Sequence, residues 1–140
     1  MRKMKNSKGF TLMEMLIVVA IIAVLVAIMI PTMTSALEKS REAADLANTR
    51  SAYAQLLVCG LTEEDPTSYS TANVTYTRTG NENEYTYTAV VKLTQKQADW
   101  KTAGAMTAVA GITATGEPSA NGTATVTYTQ ATGAVTIVYA

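Results

Sequence analysis

The chain has 140 residues, with eleven basic residues, eleven acidic residues and no histidine. Four of the basic residues lie among the first eight, which leaves seven basic against eleven acidic residues in the remainder. Because affinity for phosphates requires clustered Lys and Arg, this distribution argues against a nucleic-acid interface on the distal part. The absence of histidine removes the commonest general base and metal ligand. The single cysteine, Cys59, has no partner for an internal disulfide.

The first element is an apolar segment, Phe10 to Ile30, in which only Thr11 and Glu14 are polar. At about 1.5 Å per residue, a helix of this length spans about 31 Å, which is enough to cross the hydrocarbon core of a bilayer. The segment follows a basic leader. The charges of that leader predict that the N-terminus stays in the cytoplasm and that the C-terminal part lies outside; they are Arg2, Lys3, Lys5 and Lys8.

Glu14 is a carboxylate inside this otherwise apolar segment, where it costs about 2.5–3.5 kcal/mol on insertion scales. A cost of that size indicates a functional group with a partner. Two simpler interpretations stay open: an uncleaved signal anchor, and a secretory signal with a weak cleavage site at Thr34-Ser35-Ala36. The apolar region of a secretory signal would be shorter, roughly 7–15 residues, and would not tolerate Glu14 near its start.

The run Lys8 to Ile22, followed by Ile30-Pro31, resembles the N-terminal region of the type IV pilin and pseudopilin superfamily. The resemblance covers about the first 55 residues. It implies that a membrane-embedded aspartyl peptidase cuts between Gly9 and Phe10 from the cytoplasmic side. It also implies that Phe10 becomes an N-methylated N-terminus.

The resemblance suggests a partner for Glu14. Cleavage would create an α-amino group with a reference pKa of about 7.7–8.0, which is largely cationic at neutral pH. If neighbouring subunits are staggered, this cation and the Glu14 carboxylate of another helix neutralise each other. Leaving either charge unpaired in a low-dielectric setting is costly, so Glu14 is expected to set the register of assembly.

Pro31 closes the apolar run, and its missing N–H removes the bond to the carbonyl of Ala27. A bend or local loosening is therefore predicted there, as the family implies, although a plain kink at the membrane exit is the alternative. The helical pattern then continues to Cys59, with Gly60 as the expected stop. Phe10 to Cys59 would thus form one helix of about 50 residues.

Two faces are predicted for the second half of this helix, and an apolar stripe from Tyr53 to Val58 is expected to seat a small sheet. One face carries Glu38, Glu42 and Asp45, with Arg41 spaced to pair with Glu38 and Asp45. The other face is a narrow seam of small and apolar residues: Met33, Leu37, Ser40, Ala44, Ala47, Ser51, Ala54 and Val58.

Beyond the helix the chain becomes Thr-rich and alternates in polarity, which is typical of half-buried strands. Together with the long helix, this pattern predicts an α+β fold: a helix packed against an antiparallel sheet of four or five strands, the pilin fold. The predicted strands are Ala72–Thr79, Tyr85–Leu93, Thr123–Thr129 and Ala134–Tyr139. Leu61–Ser70 is predicted as an acidic loop, Thr94–Lys101 as a short helix or turn, and Thr107–Thr115 as a candidate extra strand.

The predicted organisation is a leader at 1–9, a transmembrane and assembly helix at 10–30, an amphipathic helical half at 31–59 and a Thr-rich sheet domain at 60–140. Some pseudopilins bind calcium near the C-terminus. Here the candidate acids lack the spacing of a calcium loop, so we predict neither a metal nor a cofactor; these acids are Glu63, Glu64, Asp65 and Glu117.

The function implied by the resemblance is that of a structural subunit of a type IV pilus or pilus-like filament, and not an enzyme. The protein would be a single-pass precursor in the cytoplasmic membrane and then part of a cell-surface filament. Implied partners are copies of itself in a helical homopolymer, minor pilins, a prepilin peptidase, an assembly platform protein and a cytoplasmic ATPase. Alternatives are a pseudopilin of a type II secretion or competence DNA-uptake apparatus, or a membrane-anchored surface binding domain.

Overall fold

The computed structural model of the protein describes residues 9–140, so the basic cluster of the leader lies outside the described residues. One helix, α1, spans Leu12–Thr62. The chain divides into two units, which meet between Ala36 and Leu37. The second unit therefore contains the last part of α1 and everything that follows it.

In the first unit, α1 is continuous through Pro31. The hydroxyl of Thr32 donates to the carbonyl oxygen of Met29 over 2.9 Å, and that of Thr34 donates to the carbonyl oxygen of Pro31 over 2.9 Å. These side chains add hydrogen bonds to the helix next to the proline, which itself offers no N–H. The functional bend at Pro31 stays a prediction.

The second unit contains an antiparallel sheet of four strands, in which each strand pairs with its neighbours in sequence. The predicted α+β, pilin-like fold is confirmed, with four strands. The extra strand proposed at Thr107–Thr115 is wrong: residues Ala105–Thr107 form a 3₁₀ helix, and Thr115 makes one isolated bridge to Val138. A second 3₁₀ helix, Pro66–Tyr69, lies within the predicted acidic loop. The strands are β1 (Val74–Thr79), β2 (Thr86–Lys92), β3 (Thr123–Thr129) and β4 (Ala134–Tyr139).

The two faces of the sheet differ sharply in chemistry. The inner face is buried and packs with Ala52, Leu56 and Cys59 of α1 in a single core. Cys59 is fully buried, as expected for a small apolar residue. The outer face is mostly threonine, and one cross-strand row consists of Thr77, Thr88, Thr127 and Thr136. β-Branched side chains suit such a half-exposed pleated surface.

The predicted end of the helix at Cys59 is wrong by three residues, because α1 continues to Thr62. Gly60 does not stop the helix. It is buried within it, and a Cβ added there would lie 2.2 Å from Cε1 of Tyr128. The glycine therefore lets the Tyr128 ring of β3 approach the helix backbone closely.

The acidic face of α1 is confirmed as one face, but it is buried. Glu38, Glu42 and Asp45 are 2%, 0% and 0% exposed. Each accepts hydrogen bonds from the segment that follows β2. Of the two predicted pairs with Arg41, the one to Glu38 forms at 3.0 Å. Within residues 9–140, no salt bridge joins Arg41 to Asp45.

Each carboxylate binds a different part of this segment, in the order Asp45, Glu38 and Glu42. Asp45 accepts the N–H of Thr94 (2.9 and 2.8 Å to its two oxygens) and of Gln95 (3.0 Å). Glu38 accepts the N–H of Lys96 (2.5 Å) and of Gln97 (2.7 Å). Glu42 accepts the N–H of Lys101 (2.7 Å) and the hydroxyl of Thr102 (2.7 Å).

Thr94–Lys101 contains bends and no helix. In a helix over these residues, the first four N–H groups would have no acceptor within the helix, so their bonds to Asp45 and Glu38 do not exclude one. The N–H of Lys101 would donate to the carbonyl oxygen of Gln97 in a helix, but here it donates to Glu42. Together these bonds provide the buried carboxylates with donors. Of the predicted short helix or turn, the helix is wrong and the residues form bends. We call residues 94–102 the clasped segment.

We expect Gly60→Ala to destabilise the second unit. Overpacking against a buried ring costs about 1–3 kcal/mol, which exceeds the gain of up to about 1 kcal/mol from better helix propensity. In a Tyr128→Ala background the ring is gone, so the same substitution should become neutral or stabilising. Thermal unfolding followed by circular dichroism measures both effects, and an equal loss in the two backgrounds would contradict the packing role.

We expect acidification to destabilise the second unit through Glu38. Burial raises the pKa of Glu38, but the N–H of Gln97, the Arg41 guanidinium and the N–H of Lys96 together outweigh it and hold the pKa below its usual 4.5. A group whose pKa is lower when folded stabilises the fold above its unfolded pKa, and that contribution is lost as the pH falls through the folded pKa.

Glu38→Gln should therefore lower the unfolding temperature at neutral pH and flatten its decline between about pH 5 and 3. The exposed Glu82 provides the matched control. Glu82→Gln removes a carboxylate that does not bind the clasped segment, so it should leave the pH dependence of the unfolding temperature unchanged. If the unfolding temperature of Glu38→Gln falls between about pH 5 and 3 as steeply as that of the wild type, Glu38 does not contribute to the acid sensitivity.

Candidate functional site

Nothing in the described residues, 9–140, covers the apolar segment at the start of α1. Large apolar side chains from Phe10 to Ile30 are exposed, for example Phe10 at 79% and Leu12 at 81%. The most apolar 18-residue window of α1 has a mean hydropathy of 3.0, and none of it is buried. Length and composition therefore suit a membrane crossing, and an exposed apolar surface of this size requires lipid or protein to cover it.

Glu14 is bonded to the start of its own helix. Its Oε2 accepts the backbone N–H of Thr11 over 2.8 Å and the hydroxyl of Thr11 over 2.9 Å. In return, Thr11 Oγ1 accepts the backbone N–H of Glu14 over 3.2 Å. Since α1 begins at Leu12, Thr11 is the N-cap and Glu14 is the third helical residue, which is the arrangement of a capping box.

This bond pattern was missed in the sequence, although its signal is present there. Thr11-Leu12-Met13-Glu14 has the Ser/Thr-x-x-Glu spacing that precedes an apolar helix. The carboxylate therefore satisfies helix donors as well as carrying charge. Within residues 9–140, no salt bridge involves Glu14.

Gly9 and Phe10 precede the helix and are both exposed. A Cβ added at Gly9 would meet no heavy atom within 4 Å. The described chain thus gives no packing reason for a glycine at this position. Gly9 and Phe10 are thus accessible and lie just outside α1.

In the second unit, the predicted seam of small residues lies on the exposed face of α1. All of its members from Leu37 onward are exposed: Leu37, Ser40, Ala44, Ala47, Ser51, Ala54 and Val58. Ala54 and Val58, which were also expected to seat the sheet, belong to this exposed seam. The sheet instead packs on Ala52, Leu56 and Cys59. Small side chains allow the close approach of another helix backbone.

Comparison with known proteins finds a family match at the start of the chain. Residues 4–30 match the family described as "Prokaryotic N-terminal methylation motif". This match includes Gly9, Phe10 and Glu14, and its first five residues lie outside the described part of the structure. The N-terminal segment therefore carries a match to this motif, which covers 27 of the 140 residues of the chain.

A curated relative gives the same result. The type IV wide pilus major component PilA4 of Thermus thermophilus is 51% identical over 39 residues. The aligned part is 28% of this chain and 30% of the relative's length, so the similarity concerns a minority of both proteins. No solved structure matches the chain.

The remaining acidic groups do not form a metal centre in the part of the chain that the structure describes. Among residues 9–140, no group of three or more His, Cys, Asp or Glu side chains is placed to hold a metal ion. The three carboxylates of the acidic helix face are each occupied by N–H or hydroxyl donors.

Proposed function

We propose that this protein is a structural subunit of a type IV pilus or a pilus-like filament, polymerised through its N-terminal helix. The observation that carries the proposal is the methylation motif over residues 4–30, which coincides with an exposed apolar helix that carries one carboxylate. The 39-residue similarity to a wide-pilus major component favours a pilus over a secretion or competence pseudopilus, and the pseudopilin stays the alternative.

Processing is proposed to cut the bond between Gly9 and Phe10 and to methylate Phe10. No heavy atom of residues 9–140 restricts the size of residue 9, which supports an assignment in which a partner imposes the small residue. A narrow peptidase groove would impose it. Residues 1–9 would be the leader, and the peptidase would be a partner on the cytoplasmic side of the membrane.

Assembly is proposed to place the exposed apolar segment in lipid before polymerisation and against other copies afterwards. The small-residue seam of the second unit would then continue the helix-to-helix interface beyond the apolar segment. The sheet, with its threonine face, would lie on the outside of the filament. Minor pilins, a platform protein and a cytoplasmic ATPase would be the further partners of such a subunit.

Glu14 is proposed to neutralise the cationic N-terminus of a neighbouring subunit while Thr11 keeps it in place. Its bonds to Thr11 use Oε2, and within residues 9–140 Oε1 accepts no hydrogen bond. A second donor can thus bind without breaking the cap. The proposal therefore gives Glu14 two contributions, one as a cap and one as a charge.

The processing proposal predicts that Gly9→Leu stays uncleaved. Because no heavy atom of residues 9–140 was found within 4 Å of the added Cβ, the substitution should leave the thermal stability of the full-length protein unchanged. Intact mass of the protein from its native cells distinguishes the outcomes. The wild type should begin at N-methyl-Phe10 and the variant should retain its leader, whereas a variant cleaved at the same bond would contradict the assignment.

The assembly proposal predicts that Glu14→Gln is processed but assembles poorly. Glutamine can still form the capping box, so this variant removes the charge alone, whereas Glu14→Ala removes both charge and cap. Breaking a buried ion pair costs about 3–5 kcal/mol, so the yield of sheared surface filaments should fall at least about tenfold in both variants. Normal filaments from Glu14→Gln, with few from Glu14→Ala, would show that the cap and not the charge matters.

A further inference from the structure

A small cleft in the second unit shares no lining residue with the small-residue seam of α1. Its volume is ≈ 230 Å³, and its lining residues are Asp99, Trp100, Met106, Glu117 and Pro118. This is below the roughly 300–1,000 Å³ of pockets that take drug-sized ligands. A ligand that fits it must therefore be small, or must be the end of a side chain.

Both walls of the cleft are fixed by contacts behind them. The N–H of Asp99 donates to the carbonyl oxygen of Pro118 over 3.0 Å, which ties one wall to the other. Next to Trp100, the N–H of Lys101 is held by the fully buried Glu42. The cleft is thus supported by the clasped segment, and a pre-formed site loses little conformational entropy when it binds a ligand.

The indole wall is also fixed. The Trp100 ring packs edge-to-face on Tyr139, with the ring centroids 5.1 Å apart. Its Nε1 is buried and has no hydrogen-bond partner within residues 9–140. The accessible part of this side chain is therefore hydrocarbon, which offers π electrons to a ligand instead of a hydrogen-bond donor.

The lining combines two carboxylates with an aromatic ring and two apolar side chains. Among residues 9–140, no Lys or Arg lines the cleft, so its two acids meet no cation within it. An ammonium group matches this set: it offers three N–H donors to the carboxylates, and a cation is attracted to a Trp ring. Met106 and Pro118 supply apolar surface for an alkyl stem. A calcium ion would require six to eight oxygen ligands, which this lining does not provide.

We propose that this cleft binds a primary ammonium group on an alkyl chain. The ammonium would lie between Asp99 and Glu117 and beside the indole of Trp100, with the alkyl chain against Met106 and Pro118. The same chemistry is presented by a lysine side chain of another protein molecule and by a free alkylamine. The inference does not depend on the filament role.

The test uses Trp100 itself, since it is the single tryptophan of the chain. The full-length protein in a neutral detergent is titrated with n-butylammonium chloride, and the tryptophan fluorescence is recorded. A saturable change with a Kd on the order of 1 mM is expected from two charge-assisted hydrogen bonds and a cation–π contact. Saturation-transfer NMR on the butylammonium methyl group records the same binding independently of fluorescence.

Two control ligands and three variants test which chemical groups are responsible for binding. n-Butanol has the stem without the charge, and tetramethylammonium has the charge without N–H donors; both should bind at least about tenfold more weakly. Asp99→Asn and Glu117→Gln should each weaken butylammonium binding about tenfold, whereas the exposed Glu82→Gln should not change it. Thermal unfolding confirms that each variant is folded.

A second arm distinguishes the source of the amine. Acetyl-glycyl-lysyl-glycinamide that binds as tightly as butylammonium would identify a protein lysine, and clearly weaker binding would identify a small free amine. Absence of saturable binding by both fluorescence and NMR would overturn the proposal. So would equal binding of n-butanol, or unchanged affinity in the folded double variant Asp99→Asn/Glu117→Gln.

Discussion

The second unit depends on hydrogen bonds between buried carboxylates of α1 and the backbone of the clasped segment. Glu38, Glu42 and Asp45 follow one another at helical spacing and bind residues 94–102 in place of secondary structure. Burying three carboxylates without donors would cost far more than a domain of this size can tolerate. The segment and the carboxylates therefore require one another: the acids supply the acceptors that the irregular backbone needs, and the backbone supplies the donors that the acids need.

This arrangement also divides the surface of α1 into two faces within the second unit. The face that carries the acids, Ala52, Leu56 and Cys59 is committed to the protein's own sheet and loop. The other face keeps small, uncharged side chains, such as Ser40, Ala44 and Ala47, exposed. Such a helix binds its own domain through one face and leaves a second face of small side chains exposed. It can therefore contact other subunits without unfolding its domain. That separation suits a filament subunit, whose domain must persist from precursor to polymer.

The sequence predicted the elements whose signals are local. Alternation placed all four strands, and their registers follow it: Tyr87, Val126 and Ile137 face the core, and threonines face outward. The apolar run and the residues around Gly9 indicated a pilin-type N-terminal motif, and residues 4–30 match the prokaryotic N-terminal methylation motif.

Apart from the capping box of Thr11 and Glu14, whose signal is local, the errors discussed here concern residues whose partners are distant in sequence. In the sequence Gly60 resembles a helix stop. The structural reason for the glycine is its close contact with the Tyr128 ring, and that residue lies 68 residues further along the chain. In the sequence Glu42 resembles an ordinary charged helix residue, because its donors, Lys101 and Thr102, lie 59 and 60 residues further along the chain. No periodicity within α1 encodes those partners. The cleft was missed for the same reason, since Asp99 and Glu117 come together only when the loop between β2 and β3 folds back on itself.

The position of Glu14 follows from the same principle that a buried or lipid-exposed polar group needs a partner. The first turn of a membrane helix has N–H groups without intrahelical acceptors, and lipid offers none. Thr11 and Glu14 satisfy donors at this end of α1 through their capping box. The hydrogen-bonding need of the carboxylate is thus met within the chain, whereas its charge is not, because Thr11 is neutral. What the single subunit leaves unsatisfied is one negative charge, and a cation from a neighbouring N-terminus would supply what the capping box cannot.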